Sequence, residues 1–484
     1  MLAPAFAQET PRITLDTSQT MFSVLAAINT CGYDQDLSQS LPIRSEIRSE
    51  VLKAAQSPQA QDALQSLCAF YSDHKLPDPS HQLAQYVSLG LNLSNPPVFS
   101  LRVKEADLPP DATYVLGFVP LLQNFAVTTE LSEIWKRHRG DYDELIREFH
   151  EPISNMLLAT DMYLKQPSRY TSSRFVVYLD PLAAPSQVNS RNYGEDYYVV
   201  VSPDAAGIRL DQIRHAYLHY LIDPMIGGRT QAMQRLAPLL DVVKTAPMNE
   251  AYKSDTSLLV TECLIRAIEA HLLGGSKGPE APQLKAVDTA MHEGFILTRY
   301  FYDQLTQFEK TPEGLRNSVG DFLYYINVPD EVKRATRIEW AATATAEPES
   351  LQSLTNKGTL VRLAERALAA GNLAGARNFA TQAMQRNEEP GRALFVLARV
   401  ATFSGDITGA RKYFELTLKN SSDPKILAWS NIYLGRISDL QGNRQAALES
   451  YQAALKAGDS SPEIKTAAEH GLKEPYAPPV QRKK

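Results

Sequence analysis

The stretch "LDQIRHAYLHYLIDP", residues 210–224, carries two histidines four positions apart, His215 and His219. Residues at i and i+4 share one helix face about 6 Å apart, so both imidazoles can reach a single ion. The stretch reads as a helix that ends at Asp223, because Pro224 pushes its predecessor out of the α region. Nine histidines in the chain make such a pair common enough by chance. Taken alone, it describes two half-buried rings packed beside Tyr217 and Tyr220.

The flanks add chemistry. Upstream, "RFVVYLD" (174–180) and "DYYVVVS" (196–202) are rich in valine and tyrosine and read as a hairpin or two neighbouring strands. The turn-forming "APSQVNSRNYGE" separates them. Downstream, "SDTSLLVTECLIRAIEAHLLGG" (254–275) reads as a helix closed by Gly274-Gly275. Glu262 sits on it among Leu258, Leu259, Cys263, Leu264 and Ile265. An isolated buried carboxylate costs several kcal/mol, so something must compensate it. Arg266, four residues on, is one candidate, and a metal ion shared with the histidines is the other.

Strands, then a helix bearing His-x-x-x-His, then a helix bearing a glutamate: over residues 170–275 this plan resembles the gluzincin-type zinc metallopeptidases. The resemblance implies that His215, His219 and Glu262 ligate Zn2+, and that "DYYVVVS" is the edge strand along which an extended peptide lies. It departs from the family at Ala216, where the general base belongs. Loss of such a base typically costs about 10²- to 10⁴-fold in rate, whereas the metal, which the base does not ligate, can still be held. Three explanations stay open: a natural pseudo-enzyme, an engineered inactive form of a working peptidase, or a base supplied by Glu269 or Asp223. The plain readings of those two are a carboxylate that is solvated or paired with Arg266, and a helix-ending residue. A purely structural histidine helix on a non-enzymatic scaffold is the remaining alternative.

The last third of the chain is repetitive. "GNLAGARNFATQAM", "GDITGARKYFELTL" and "GNRQAALESYQAAL" begin at Gly371, Gly405 and Gly442. Five residues on come Ala376, Ala410 and Ala447, and nine on come Ala380, Phe414 and Tyr451. Seven before each glycine stands Ala364, Ala398 or Gly435, and Pro390, Pro424 and Pro462 close the units. Residues 357–462 resemble the tetratricopeptide repeat, whose small residues let paired helices approach and whose aromatic fills the gap. That resemblance implies an α-solenoid and a protein or peptide partner. Three repeats are about the minimum for a stable array, so it is expected to dock on the preceding domain or on a partner.

The net charge of −6 and pI near 5.9 give no basic field for nucleic acid or an anionic membrane. No apolar run reaches the roughly 20 residues that span a bilayer. There is no Gly-rich phosphate loop, no Gly-x-Ser-x-Gly elbow and no Cys-x-x-Cys pair. Ala5-Phe6-Ala7 ahead of Gln8 has the small-x-small form of a signal-peptidase site, which points to a periplasmic or secreted protein; an alanine-rich cytoplasmic tail is the alternative. Cys31 and Cys68 can pair in an oxidising compartment or stay buried and reduced, and Cys263 reads as an inert core thiol. The expected organisation is mainly α (α+β): a signal-peptide remnant or disordered start at 1–11, a helical region at 12–170, a zincin-like domain with a small sheet at 171–341, a linker at 342–356, repeats at 357–472 and a disordered tail at 473–484. Oligomeric state is not legible.

Overall fold

The computed structural model describes residues 13–105, 108–165, 174–193, 196–273, 280–343, 360–369, 373–385, 389–458 and 462–476. The signal-peptide-like start, linker residues 344–356 and tail residues 477–484 lie outside them, while the tail expected to be disordered begins in order, with Lys473 ending a helix and the Tyr476 N–H bonded to Asp439. The chain forms two compact units, Met1–Leu354 and Thr355–Lys484. It is mainly helical with one small sheet.

The sheet organises the first unit. Its strands are β1 (Ile13–Asp16), β2 (Phe175–Leu179), β3 (Asn189–Tyr193) and β4 (Asp196–Val201), in the order β1-β2-β4-β3. β1, β2 and β4 are parallel, and β3 runs antiparallel to β4. The two expected strands are therefore parallel neighbours rather than a hairpin. β3 falls in the segment that reads as a turn, and β1 in the region that reads as helical. β3 is polar, and β1 (ITLD) alternates over only four residues, too short a run to stand out. Main-chain pairing makes them strands.

Successive strand residues face opposite sides, and here both sides are buried. Phe175, Val177, Leu179, Tyr197, Val199 and Val201 face one core; Tyr178, Tyr198 and Val200 face the other. Burial on both faces accounts for the near-continuous apolar runs. The second core is built from α1 (Gln19–Thr30), α2 (Pro42–Ala54), α3 (Pro58–Asp73), α4 (Pro79–Leu91), α5 (Pro110–Tyr114) and α6 (Phe118–Thr128). The Cys31–Cys68 disulfide ties the end of α1 to α3. The long α7 (Leu131–Leu164) serves both cores: Leu131, Ile134, Trp135 and Tyr142 enter one, and Leu145, Phe149, Ile153 and Leu164 the other. The helical region and the sheet region thus share one helix and one sheet.

The first core holds α8 (Leu210–Gly227), the short α9 (Thr230–Leu236), α10 (Leu239–Val242) and α11 (Glu250–Ser254), then α12 (Thr256–Leu272), α13 (Glu280–Glu293), α14 (Thr298–Phe308), α15 (Leu315–Tyr324) and α16 (Val328–Ala335). α8 does not stop at Asp223; it runs through Pro224 to Gly227. The missing N–H falls in the last turn, where one lost bond is tolerable. Asp255 starts α12 by accepting from the N–H groups of Ser257 and Leu258. The expected Gly274-Gly275 stop lies outside the described residues.

The second unit is a succession of helices: α17 (Leu360–Ala369), α18 (Leu373–Gln385), α19 (Pro390–Phe403), α20 (Ile407–Asn420), α21 (Pro424–Leu440), α22 (Arg444–Lys456) and α23 (Pro462–Lys473). The small residues Ala364, Ala376, Ala398, Ala410 and Ala447 are fully buried, as are Ala380, Phe414 and Tyr451. A methyl on Gly435 would stand 2.7 Å from the Tyr451 ring. Gly405 and Gly442 take positive φ, 74° and 76°, after α19 and α21, which favours glycine there; Gly371 lies outside the described residues. The prolines do not close the units. Each opens the next helix, where its fixed φ suits the first turn and no N–H is needed.

Candidate metal centre

His215 and His219 lie on the face of α8 that meets α12, and Glu262 lies opposite them. All three are buried, with Glu262 at 0% exposure. His215 Nε2 is 3.6 Å and His219 Nε2 3.4 Å from the same oxygen, Glu262 Oε2. The donor atoms of the three residues all fall within 4.8 Å of one another. These are long for hydrogen bonds, and none is made: His215 Nε2, His219 Nε2 and Glu262 Oε2 are buried without a hydrogen-bond partner. Ligand bonds of about 2.0–2.1 Å at tetrahedral angles set two donors about 3.4 Å apart. The spacing therefore suits one ion better than direct contacts.

The outer atoms of each ligand are engaged. His215 Nδ1 is 2.9 Å from Glu269 Oε1, and His219 Nδ1 is 3.0 Å from Asp223 Oδ1. Tyr197, on β4, donates to Asp223 Oδ2 at 3.1 Å, which links the sheet to His219. A carboxylate on Nδ1 fixes the ring and keeps the proton away from Nε2, the usual support of a metal-bound imidazole. Arg266 Nε donates to Glu262 Oε1 at 2.7 Å, so one carboxylate oxygen is taken and the other left facing the histidines. Arg266 is held in turn by Glu293 at 3.3 Å and by the Phe295 ring, whose centroid lies 3.9 Å away.

Without an ion, neighbouring cationic groups support the Glu262 carboxylate. Burial alone would raise the Glu262 pKa, but His215, Arg266 and His219 bring it down to about 2. Burial likewise opposes charge on His219, yet Asp223 and Glu262 lift its pKa to about 9. An entering cation must displace that proton.

The structure brings His215, His219 and Glu262 together and leaves Ala216 as a buried methyl beside them. Two expectations need correction. Glu269 and Asp223 are not free to act as bases, since each is spent on the Nδ1 side of a histidine, away from Nε2. Arg266 does pair with Glu262, as one of the two readings had it, but on one oxygen only, which leaves Oε2 facing the histidines. "DYYVVVS" is not an edge strand, because β4 is paired on both sides. The antiparallel β3 takes the edge, and its Asn189, Ser190 and Arg191 are buried, with Arg191 bonded to Ala84 O and Asp111. The supporting roles of Asp223 and Glu269 had a readable signal: Asp223 is four residues from His219, and Glu269 is two helical turns from Glu262. Tyr197 had none, since strand pairing alone brings it there. His271, on the same helix, lies elsewhere, bonded to Tyr302 O and Glu309. Cys263 is a buried thiol whose pKa burial raises to about 12, an inert core group.

No family model matches the chain, and comparison with curated proteins and with solved structures finds no match.

Proposed function

We propose that this is an exported, metallopeptidase-like protein that holds a divalent metal ion, with zinc the best fit, at His215, His219 and Glu262, does not turn over peptides, and binds a partner through a tetratricopeptide-type helical array. The observation that carries the metal is the trio of buried, unbonded donor atoms, with each imidazole nitrogen 3.4 or 3.6 Å from the carboxylate oxygen and all three within 4.8 Å of one another. Two imidazole nitrogens and one carboxylate oxygen form a donor set that zinc accepts. Glu269 and Asp223 would orient the imidazoles, and Arg266 would hold Glu262 to one free oxygen. Bound at these residues, the ion would polarise a water or a carbonyl. With a methyl at 216, no side chain at the base position takes the proton, which supports binding without hydrolysis.

Export is supported by the Cys31–Cys68 disulfide, which persists in oxidising compartments, and no helix among the described residues is long and apolar enough to cross a membrane. The array is supported by buried small residues facing buried aromatics at repeat spacing. A metal-free ion-pair network is the competing reading, favoured by the Arg266–Glu262 contact.

Elemental analysis of purified chain separates the readings. About one zinc per chain, lost in His219→Ala, is expected; a metal-free chain with unchanged folding contradicts the proposal. Ala216→Glu then probes the chemistry. Peptide cleavage in the unmodified chain rules out the non-hydrolytic part, and cleavage gained only on restoring the glutamate marks a lost enzyme.

A further inference from the structure

We infer that Gln212 is a positioning residue, whose side-chain oxygen accepts a hydrogen bond from the water that completes the coordination of an ion at His215, His219 and Glu262. The inference rests on the proposed metal centre and extends it beyond the three ligands.

Helix α8 buries three side-chain polar atoms that have no hydrogen-bond partner: Gln212 Oε1, His215 Nε2 and His219 Nε2. The residues are three and four positions apart, which places them on one stripe of the helix. Ala216 shares that stripe, and all four residues are buried, Gln212 at 6% exposure. The two nitrogens converge on Glu262 Oε2, where an ion answers for them. Gln212 Oε1 has no such answer. Among the described residues of α8 it is the one buried side-chain oxygen without a partner. An acceptor left unmet in a core forfeits water and gains nothing, so a donor belongs beside it.

Helix geometry makes that donor a water on the ion rather than putting the amide on the ion itself. Gln212 precedes His215 by about 4.5 Å along the axis, and helical side chains lean toward the N-terminus. The amide therefore leans away from the two rings, and a water held by the ion spans the gap. The carboxylates nearby are engaged elsewhere: Glu269 and Asp223 on the Nδ1 atoms, and Glu262 Oε1 on Arg266. Ala216, four residues after Gln212, offers only a methyl to the intervening space. An amide oxygen accepts a hydrogen bond but takes no proton at neutral pH, which fits an ion that is bound without hydrolysis. A buried water unconnected to the ion would also satisfy Gln212. The two arrangements differ in whether position 212 senses the metal.

Cobalt(II) loaded into the full-length chain gives a visible spectrum that reports both binding and ionisation of the bound water. The parent is expected to take up about one Co2+ and to show one spectral step with pH. An acceptor steadies water more than hydroxide, so Gln212→Leu should move that step to lower pH by about 0.5–1 unit, the three- to tenfold worth of one hydrogen bond. Gln212→Glu sets a negative charge beside the water and should move it to higher pH by about one unit. The charged groups around the site, Asp223, Glu262, Arg266, Glu269 and Glu293, are the same in all three proteins, so the differences belong to position 212. Should Gln212→Leu lose helical circular dichroism, the upward shift in Gln212→Glu decides alone. Coincident steps, no step in the parent, or loss of Co2+ from a folded Gln212→Leu overturns the inference and leaves the metal centre standing. A parent that takes up no Co2+ overturns both.

Discussion

The α8–α12 pair and the repeat helices are both packed helix on helix, yet they bury opposite kinds of residue. Between α8 and α12 lie two imidazoles and a carboxylate with three donor atoms unbonded. Between the helices of the second unit lie mainly methyls, glycine backbone and aromatic rings, and the Asp439 carboxylate takes bonds from three residues. A folded chain rarely leaves converging polar atoms unsatisfied in its core, because each costs about 1–3 kcal/mol. Where three such atoms converge on one point, they offer a place for a ligand. Where it buries mainly small and aromatic groups, shape dominates. The first pattern fits the proposed metal centre and the second the proposed scaffold.

The contrast can be broken most severely at Glu262. Glu262→Ala strips the partner from His215, His219 and Arg266 at once and should cost about 3–5 kcal/mol, as removal of one member of a buried charged network does. Thermal melting should fall steeply and metal be lost together; a melt close to the parent's would mean the carboxylate is not the hub.

The scaffold side predicts a loss of similar kind but no effect on metal. Gly471→Ala places a methyl 2.4 Å from the Tyr451 ring and should destabilise the second unit by about 1–3 kcal/mol through overpacking. Zinc content should stay at the parent value, and a change in both would show that the two regions are not separable.

Supporting groups come next. Asp223→Asn should weaken metal affinity about 10- to 100-fold, and Tyr197→Phe less, through the same His219. A competition titration with a zinc chelator reads both. Equal affinities would leave the carboxylate–imidazole contact without a role.

The smallest effect is in pH. With a folded pKa of about 9, above the unfolded value near 6.5, His219 adds stability to the metal-free chain that is full below about pH 6.5 and lost as pH rises through 9. Metal binding has the opposite trend, tightening over the same range as the proton leaves. Melting of metal-free and zinc-loaded protein from pH 6 to 9 should therefore diverge, and parallel curves would contradict the assignment.

The sequence made the site more legible than the sheet, for a physical reason. Helical contacts are local, so His215 and His219 announce a shared face by spacing alone, and Glu262 stands out as a charge in an apolar helix. Repeat helices advertise themselves through recurrent small residues for the same reason. Sheet partners are remote: nothing in "ITLD" says that Ile13 will lie beside Phe175, and nothing in "NSRNY" says that a polar run becomes the edge. Pro224 misled because its local rule holds for a helix interior, whereas here the helix needed only one more turn.

The central claim is that two nitrogens and one oxygen surround a single ion. X-ray absorption at the zinc edge on the full chain reads this directly. A light-atom shell at about 2.0–2.1 Å with imidazole scattering from two rings, lost in His215→Ala, is expected. A zinc-free chain, a sulfur shell near 2.3 Å, or a spectrum that His215→Ala leaves unchanged would contradict it.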